Sequence, residues 1–242
     1  MTQINQTGIW AVVPLKSLDR AKQRLAARLN DEERRDLMLA MARDVLGALC
    51  QSTRLAGILI VSRTTEADAL ARAFATERFT ESPTADLPGA LTQASAHLRE
   101  HFGASGVMIV PADMPLLDAS EIDAVLDQHR QVTVIPDAEN VGTNALVLSP
   151  PDAIDFIFDG RSFRPHVDAA FARGITPRIA KPASFTLDID TEADLLSLLE
   201  QGPNSQAGTY LIRSGIAERL TGSRVGTSRR KTLSDADTRR VQ

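Results

Sequence analysis

Residues 9–25 read IWAVVPLKSLDRAKQRL. The apolar run Ile9-Trp10-Ala11-Val12-Val13 has the length and composition of a buried strand. Four cations follow it at once: Lys16, Arg20, Lys22 and Arg24. Open α/β sheets bind ligands beyond the carboxyl ends of their strands, so cations there call for an anionic partner. No glycine stands between Val13 and Leu25. A glycine-rich backbone nest is thereby excluded, and phosphate would have to be neutralised by side chains. The alternative is a solvated amphipathic helix with Leu18, Ala21 and Leu25 inward and the cations outward.

The same alternation of short β-branched runs and helical segments continues along the chain, as a parallel α/β sheet requires. Strands are expected at 9–13, 57–61, 106–110, 132–135, 144–148 and 185–189. Helix starts are marked by Asn30 with Glu33 three residues on, by Asp118 with Glu121, and by Thr191 with Asp194. With 242 residues, 43% of them hydrophobic and 24% charged, the chain can bury one full core. No apolar run approaches the roughly 18 residues of a membrane span, and no secretory signal pattern opens the chain. The lone Cys50, in LGALCQ, reads as a small core hydrophobe in a reducing compartment, so the expected location is the cytoplasm, with no membrane partner. A pI near 5.6 argues against general nucleic-acid binding. From Gln201 the character changes: residues 202–242 carry about +5 and the rest about −9. We expect one domain over 1–200 and a basic, flexible extension over 201–242, in which TYLIRSGIAERL could form a short helix.

Three further places follow expected strands. In VMIVPADMPLL, Asp113 is hemmed by Pro111 and Pro115, so a carboxylate at a strand end is held with little entropy left to lose on coordination; a plain turn residue is the alternative. In FTLDIDTEADL, Asp188 and Asp190 alternate with Leu187 and Ile189, and a period of two puts both carboxylates on one face. Two like charges there favour a shared cation, and hard oxygen ligands without Cys or His favour magnesium; alternatively Asp190 only supports the Thr191 cap. In GTNALVLSPP and FDGRSFRPH, Gly142-Thr143-Asn144 with Gly160, Ser162 and Arg164 offer turn N–H groups, hydroxyls and donors for phosphate or carboxylate oxygens. His166, inside an expected helix, reads as a packing or capping residue.

A cationic loop after the first strand, an Asp after a middle strand and an Asp pair near the end together suggest metal-assisted chemistry on a phosphorylated substrate. The run over 12–46 with VPADMPLL, GTNALVLSPP, GRSFRPH and LDIDTEADL, in this order over about residues 9–200, resembles the phospholactate guanylyltransferase family, the CofC-type proteins of coenzyme F-420 biosynthesis. That resemblance implies a single Rossmann-like nucleotidyltransferase domain of the sugar-nucleotide transferase kind. It implies transfer of GMP from GTP to a phosphorylated short carboxylic acid, 2-phospho-L-lactate, phosphoenolpyruvate or 3-phospho-D-glycerate, by a monomer or homodimer. Carried over position by position, Asp113, Asp188 and Asp190 would hold Mg2+, Thr143, Gly160 and Ser162 the acid, and Lys16, Lys22 and Arg24 the phosphates. Thr92, in LPGALTQA, stands where the family often has Asn. Two rival readings are a CTP- or UTP-dependent nucleotidyltransferase acting on a sugar phosphate or pterin, and a non-catalytic nucleotide-binding module.

Overall fold

The computed structural model describes residues 7–15 and 22–222. Seven strands form one sheet in the order β3-β2-β1-β4-β6-β5-β7. They are β1 (Ile9–Pro14), β2 (Leu55–Val61), β3 (Glu77–Phe79), β4 (Gly106–Ile109), β5 (Val132–Pro136), β6 (Thr143–Leu148) and β7 (Arg178–Ile179). β6 runs antiparallel to both β4 and β5, and the other pairings are parallel. The helices include α1 (Asp31–Gln51), α2 (Thr65–Phe74), α3 (Leu87–Phe102), α4 (Ala119–Asp127), α5 (Phe163–Ala172), α6 (Glu192–Gln201) and α7 (Gln206–Arg213), and residues 216–222 are helical as well.

β1 shows how the sequence makes this three-layer arrangement. Successive side chains leave opposite faces of a strand. Ala11 and Val13 thus enter the core built with α1, which contributes Leu37, Met41 and Val45, while Trp10 and Val12 enter the core built with α3, which contributes Leu91, Ala94 and Leu98. Both faces being covered, the strand is apolar throughout. The helix starts form as the sequence indicates. Asn30 and Glu33 close a reciprocal capping box (both bonds 2.9 Å), Thr191 and Asp194 close another, and Asp118 accepts from the N–H groups of Ser120 and Glu121.

Three expectations are corrected. Residues 185–189 are no strand: Pro182 leads into a single 3-10 turn, Ala183–Phe185, the wholly buried Phe185 anchors it, and β7 takes the edge beside β5 instead. The segment after it is tied to the sheet end by one bond, from the Ile189 N–H to the Asp113 carbonyl (3.1 Å). Residues 206–222 do not form a separate flexible extension. Asp44 of α1 accepts from the N–H groups of Gln206 and Ala207 at the α7 N-terminus (2.8 and 2.9 Å), and Ala207, Leu211, Ile216 and Leu220 are buried in the α1-side core. The basic stretch 223–242 lies outside the described residues. Cys50 is exposed in the last turn of α1 and is no core residue. No described helix is long and apolar enough to cross a membrane.

The packing of α7 has a measurable consequence. A chain ending at Gly202 should be markedly destabilised, since it uncovers the apolar α1 surface and strips Asp44 of its donors. Leu211→Ala should cost about 2–5 kcal/mol. A Leu211→Ala protein with an unchanged urea midpoint would show that α7 adds nothing to the core.

Candidate active site

Just beyond β1, the backbone of Lys22 adopts the left-handed conformation (φ 51°, ψ 47°) and leads into a one-turn 3-10 helix, Gln23–Leu25. Such a conformation is strained in a side chain other than Gly, Asn or Asp. It is held by the burial of Leu25 below and by the ammonium of Lys22 above. That ammonium donates to Asp113 Oδ2 (2.5 Å) and to Asp190 Oδ1 (2.8 Å). Arg24 Nη1 reaches Asp190 Oδ2 at 3.3 Å from an exposed position. The Lys22 side chain is 7% exposed, against 24% for Asp113 and 41% for Asp190. Of the two readings of the opening cations, a continuous solvated helix is excluded at Lys22 by its backbone; Lys16 and Arg20 lie outside the described residues.

Electrostatics follow from this arrangement. Burial disfavours the Lys22 charge, but the attraction and hydrogen bonds of Asp113 and Asp190 outweigh it and hold its pKa above the ordinary lysine value. Lys22 is therefore a fixed cation at neutral pH. Asp188 lies in the field of the same group: burial, then the charges of Asp113 and Asp190, push its carboxyl up, with Lys22 opposing. The three aspartates are thus electrically coupled, yet the ammonium joins only Asp113 and Asp190. Among the described residues no three His, Cys, Asp or Glu side chains converge closely enough to hold a metal by themselves. A magnesium ion characteristically takes one or two carboxylates and completes its shell with water and substrate phosphate. Two convergent carboxylates with a third nearby, all hard oxygen donors, fit that ion.

The group opens onto a cleft of about 940 Å³ at the carboxyl ends of β1, β2 and β4. Lys22, Arg24, Asp113 and Asp190 line it on one side, and Arg63, Glu81 and Asp86, which the sequence reading missed, line it on the other. Arg63 Nε and Glu81 Oε1 form an ion pair (3.1 Å). Asp86 caps α3 by accepting from the Gly89 N–H (2.8 Å), and the Thr92 hydroxyl is spent on the Pro88 carbonyl within that helix.

Thr143, Gly160 and Ser162 form a neighbouring group that does not line the cleft. Phe158 does, and it stands edge-on to His166 with ring centroids 5.1 Å apart. His166 Nε2 accepts from the Ile157 N–H (3.0 Å), so Nδ1 carries the proton and donates to Thr143 Oγ1 (3.0 Å). With an acceptor bond already made, the Thr143 hydroxyl proton remains available to an anion. Ser162 is buried, its carbonyl accepting from the His166 N–H (3.0 Å), and Gly160 takes a positive φ of 85° at an exposed position two residues before it. Gly142 is required by the turn before β6: its N–H and that of Val141 bond the Asp137 carboxylate, which a Cβ on Gly142 would meet at 2.8 Å.

Residues 9–231 match the family model described as Guanylyl transferase CofC like. The chain belongs to this family. It is 36% identical over 206 residues to phosphoenolpyruvate guanylyltransferase of Sphaerobacter thermophilus, covering 80% of this chain and 93% of that one. It is 32% identical over 202 residues to 2-phospho-L-lactate guanylyltransferase of Methanothermobacter thermautotrophicus, covering 83% and 88%. Among solved structures, a Desulfovibrio desulfuricans protein assigned to the nucleotide-diphospho-sugar transferases superposes with a TM-score of 0.71 at 16% identity, over 88% of this chain and 98% of that one. A Leptospira borgpetersenii cytidylyltransferase superposes with a TM-score of 0.53 at 13% identity, over 91% and 95%. These place the fold among the nucleotidyltransferases.

The geometry separates the two cations. Lys22→Met leaves two carboxylates facing each other and should cost about 1–2 kcal/mol of stability in the free protein, moderated by the exposure of Asp190; Arg24→Met should cost no more than about 0.5 kcal/mol. Equal urea midpoints for the two variants would contradict this. A second expectation concerns pH. Burial lowers the pKa of His129 and of His166 to about 4 from 6.5. Unfolded histidines bind protons first as pH falls, so the stability they contribute is whole above pH 6.5 and is lost toward pH 4. Melting temperature should fall across that window, and His166→Gln should flatten part of the slope; an unchanged slope would mean that His166 is not held neutral.

Proposed function

We propose that this protein joins GMP from GTP to a phosphorylated short carboxylic acid and releases pyrophosphate, with 2-phospho-L-lactate, phosphoenolpyruvate and 3-phospho-D-glycerate as candidate acids and coenzyme F-420 biosynthesis as the setting. Membership of the guanylyl transferase family and the names of the relatives support the reaction class. The observation that carries the reading is the convergence of Lys22, Asp113 and Asp190 on one point of a large cleft whose loop has no glycine. Substrates of this kind are metabolites of the cytoplasm, where we place the enzyme.

In the reaction a phosphate oxygen of the acid attacks the α-phosphorus of GTP in line. The new P–O bond forms as the bond from the α-phosphorus to the β-phosphate oxygen breaks, and pyrophosphate leaves. No base is needed, because a phosphate monoester with a second pKa of about 6 is already dianionic near pH 7. Lys22 and Arg24 face the triphosphate, and the permanently charged Lys22 stabilises the growing negative charge on the leaving group. Thr143 offers its hydroxyl proton to the acid, with His166 orienting it, while the turns at Gly160 and Ser162 close around the acid's oxygens. Asp113, Asp188 and Asp190 would hold Mg2+, which supplies charge neutralisation for the polyanionic substrates. Substrate positioning and charge stabilisation then do the catalysis.

The deciding measurement is incubation with GTP, magnesium and each acid separately, with mass detection of the guanylylated product. Product is expected with at least one acid and should vanish in excess chelator. Asp113→Asn and Asp190→Asn should each lower kcat/KM by about 100-fold or more while the protein stays folded. Turnover of CTP in place of GTP, or full activity in chelator, would sink the reading.

A further inference from the structure

Glu81 lies two residues beyond β3 and lines the cleft. Its side chain is 10% exposed. One carboxylate oxygen is paired with Arg63 Nε at 3.1 Å, and Arg63 is itself fixed by donating through Nη1 to the Pro83 carbonyl. The other oxygen, Oε2, is shut off from solvent and has no hydrogen-bond partner among the described residues. A desolvated carboxylate oxygen without a donor is unfavourable, and the place of Glu81 on the cleft wall allows a ligand to bring that donor.

The position of Glu81 indicates which part of a ligand arrives there. Asp113 follows β4, Glu81 follows β3, and the sheet order β3-β2-β1-β4 puts three strand spacings between them, roughly 14 Å. That is comparable to the span of a nucleotide from its α-phosphate to the far edge of its base. With phosphates at Lys22, the base edge falls at the Arg63–Glu81 wall. A carboxylate selects for adjacent donors. Guanine presents two side by side, N1–H and the N2 amino group, whereas adenine and cytosine each present one amino group beside a ring-nitrogen acceptor and uracil one N–H between two carbonyls.

Resting on the guanylyl reading above, we infer that Glu81 is the guanine-specificity residue: its carboxylate accepts from N1–H and the N2 amino group of the bound base, and Arg63 holds it in place. Glu81 touches no reacting atom, so its contribution lies in choosing the nucleotide. Glu81→Gln exchanges one acceptor for an N–H donor. It should repel the N2 amino group of guanine and welcome the C2 carbonyl of xanthine.

The test is equilibrium titration of the full-length protein with GTP, CTP, UTP, inosine triphosphate, which lacks the N2 amino group, and xanthosine triphosphate, in magnesium and without acid, so that no turnover occurs. The wild type should bind GTP about 10- to 100-fold more tightly than inosine triphosphate. Glu81→Gln should lose that preference and bind xanthosine triphosphate more tightly than GTP, a gain that an unfolded protein cannot show. Glu81→Asp, which keeps the carboxylate, should retain part of the preference for GTP. If the wild type prefers GTP but Glu81→Gln keeps the same ratio of GTP to inosine triphosphate, or weakens every triphosphate equally, the assignment to Glu81 is overturned by itself. A wild type that binds CTP and UTP as tightly as GTP would overturn the guanylyl reading, and this one with it.

Discussion

An ammonium held between two carboxylates organises this molecule. Lys22 meets Asp113 across 91 residues of sequence and Asp190 across 168. The contact draws the loop after β1, the loop after β4 and the entry to α6 to one point. Its strength comes from the two carboxylates, whose attraction and hydrogen bonds outweigh the cost of burying the ammonium and hold its pKa above the ordinary lysine value. The cost is borne by the backbone, which Lys22 holds at positive φ, a conformation worth roughly 1–3 kcal/mol of strain. The surrounding structure over-determines it: Leu25 is fully buried three residues on, and Ile189 bonds the Asp113 carbonyl from the opposite side.

This contact leaves charge unbalanced. Asp113, Asp188 and Asp190 bring three carboxylates against one enclosed ammonium and one exposed guanidinium, and burial first, then the charges of Asp113 and Asp190, push the Asp188 carboxyl up. In the free protein Lys22 does the work that a cation would do for the pair, which explains why a crowded acidic group can persist there. The arrangement also explains the missing glycine-rich loop. A backbone nest offers partial charges fixed in place, whereas a lysine on a strained turn offers a full charge that can be shared between carboxylates and an arriving phosphate.

Local features of this architecture were legible in the sequence and non-local ones were not. The caps at Asn30, Asp118 and Thr191 are written within four residues, and each forms as read. β1 was legible because burial on both faces leaves an unbroken apolar run. The pairing of Asp188 with Asp190 was expected from a period of two in a strand that does not exist; Lys22 instead selects Asp190 with Asp113, a choice made by tertiary contact. The packing of α7 was hidden by composition, since the basic residues around it outweigh Leu211, Ile216 and Leu220, whose burial depends on the face of α1 that they meet. Glu81 escaped notice because β3 has only three residues, too few to display a pattern, and Arg63, which follows the longer β2, is marked out only by its tertiary ion pair with Glu81.

The Thr143 group completes the division of labour. Its donor is prepared without adding charge: the Ile157 N–H fixes the tautomer of His166, and His166 in turn fills the acceptor side of the Thr143 hydroxyl. Burial keeps His166 neutral at physiological pH, with a pKa of about 4, so this relay does not switch as pH varies around 7. A cation at the same place would bind the phosphorylated acid more tightly, but it would bind the anionic product as tightly too, and uniform binding of that kind raises no rate. In the reaction proposed above, full positive charge confined to Lys22 and Arg24 would sit where charge grows as pyrophosphate departs, and a neutral hydroxyl for the acid would leave that electrostatic stabilisation to the step that needs it.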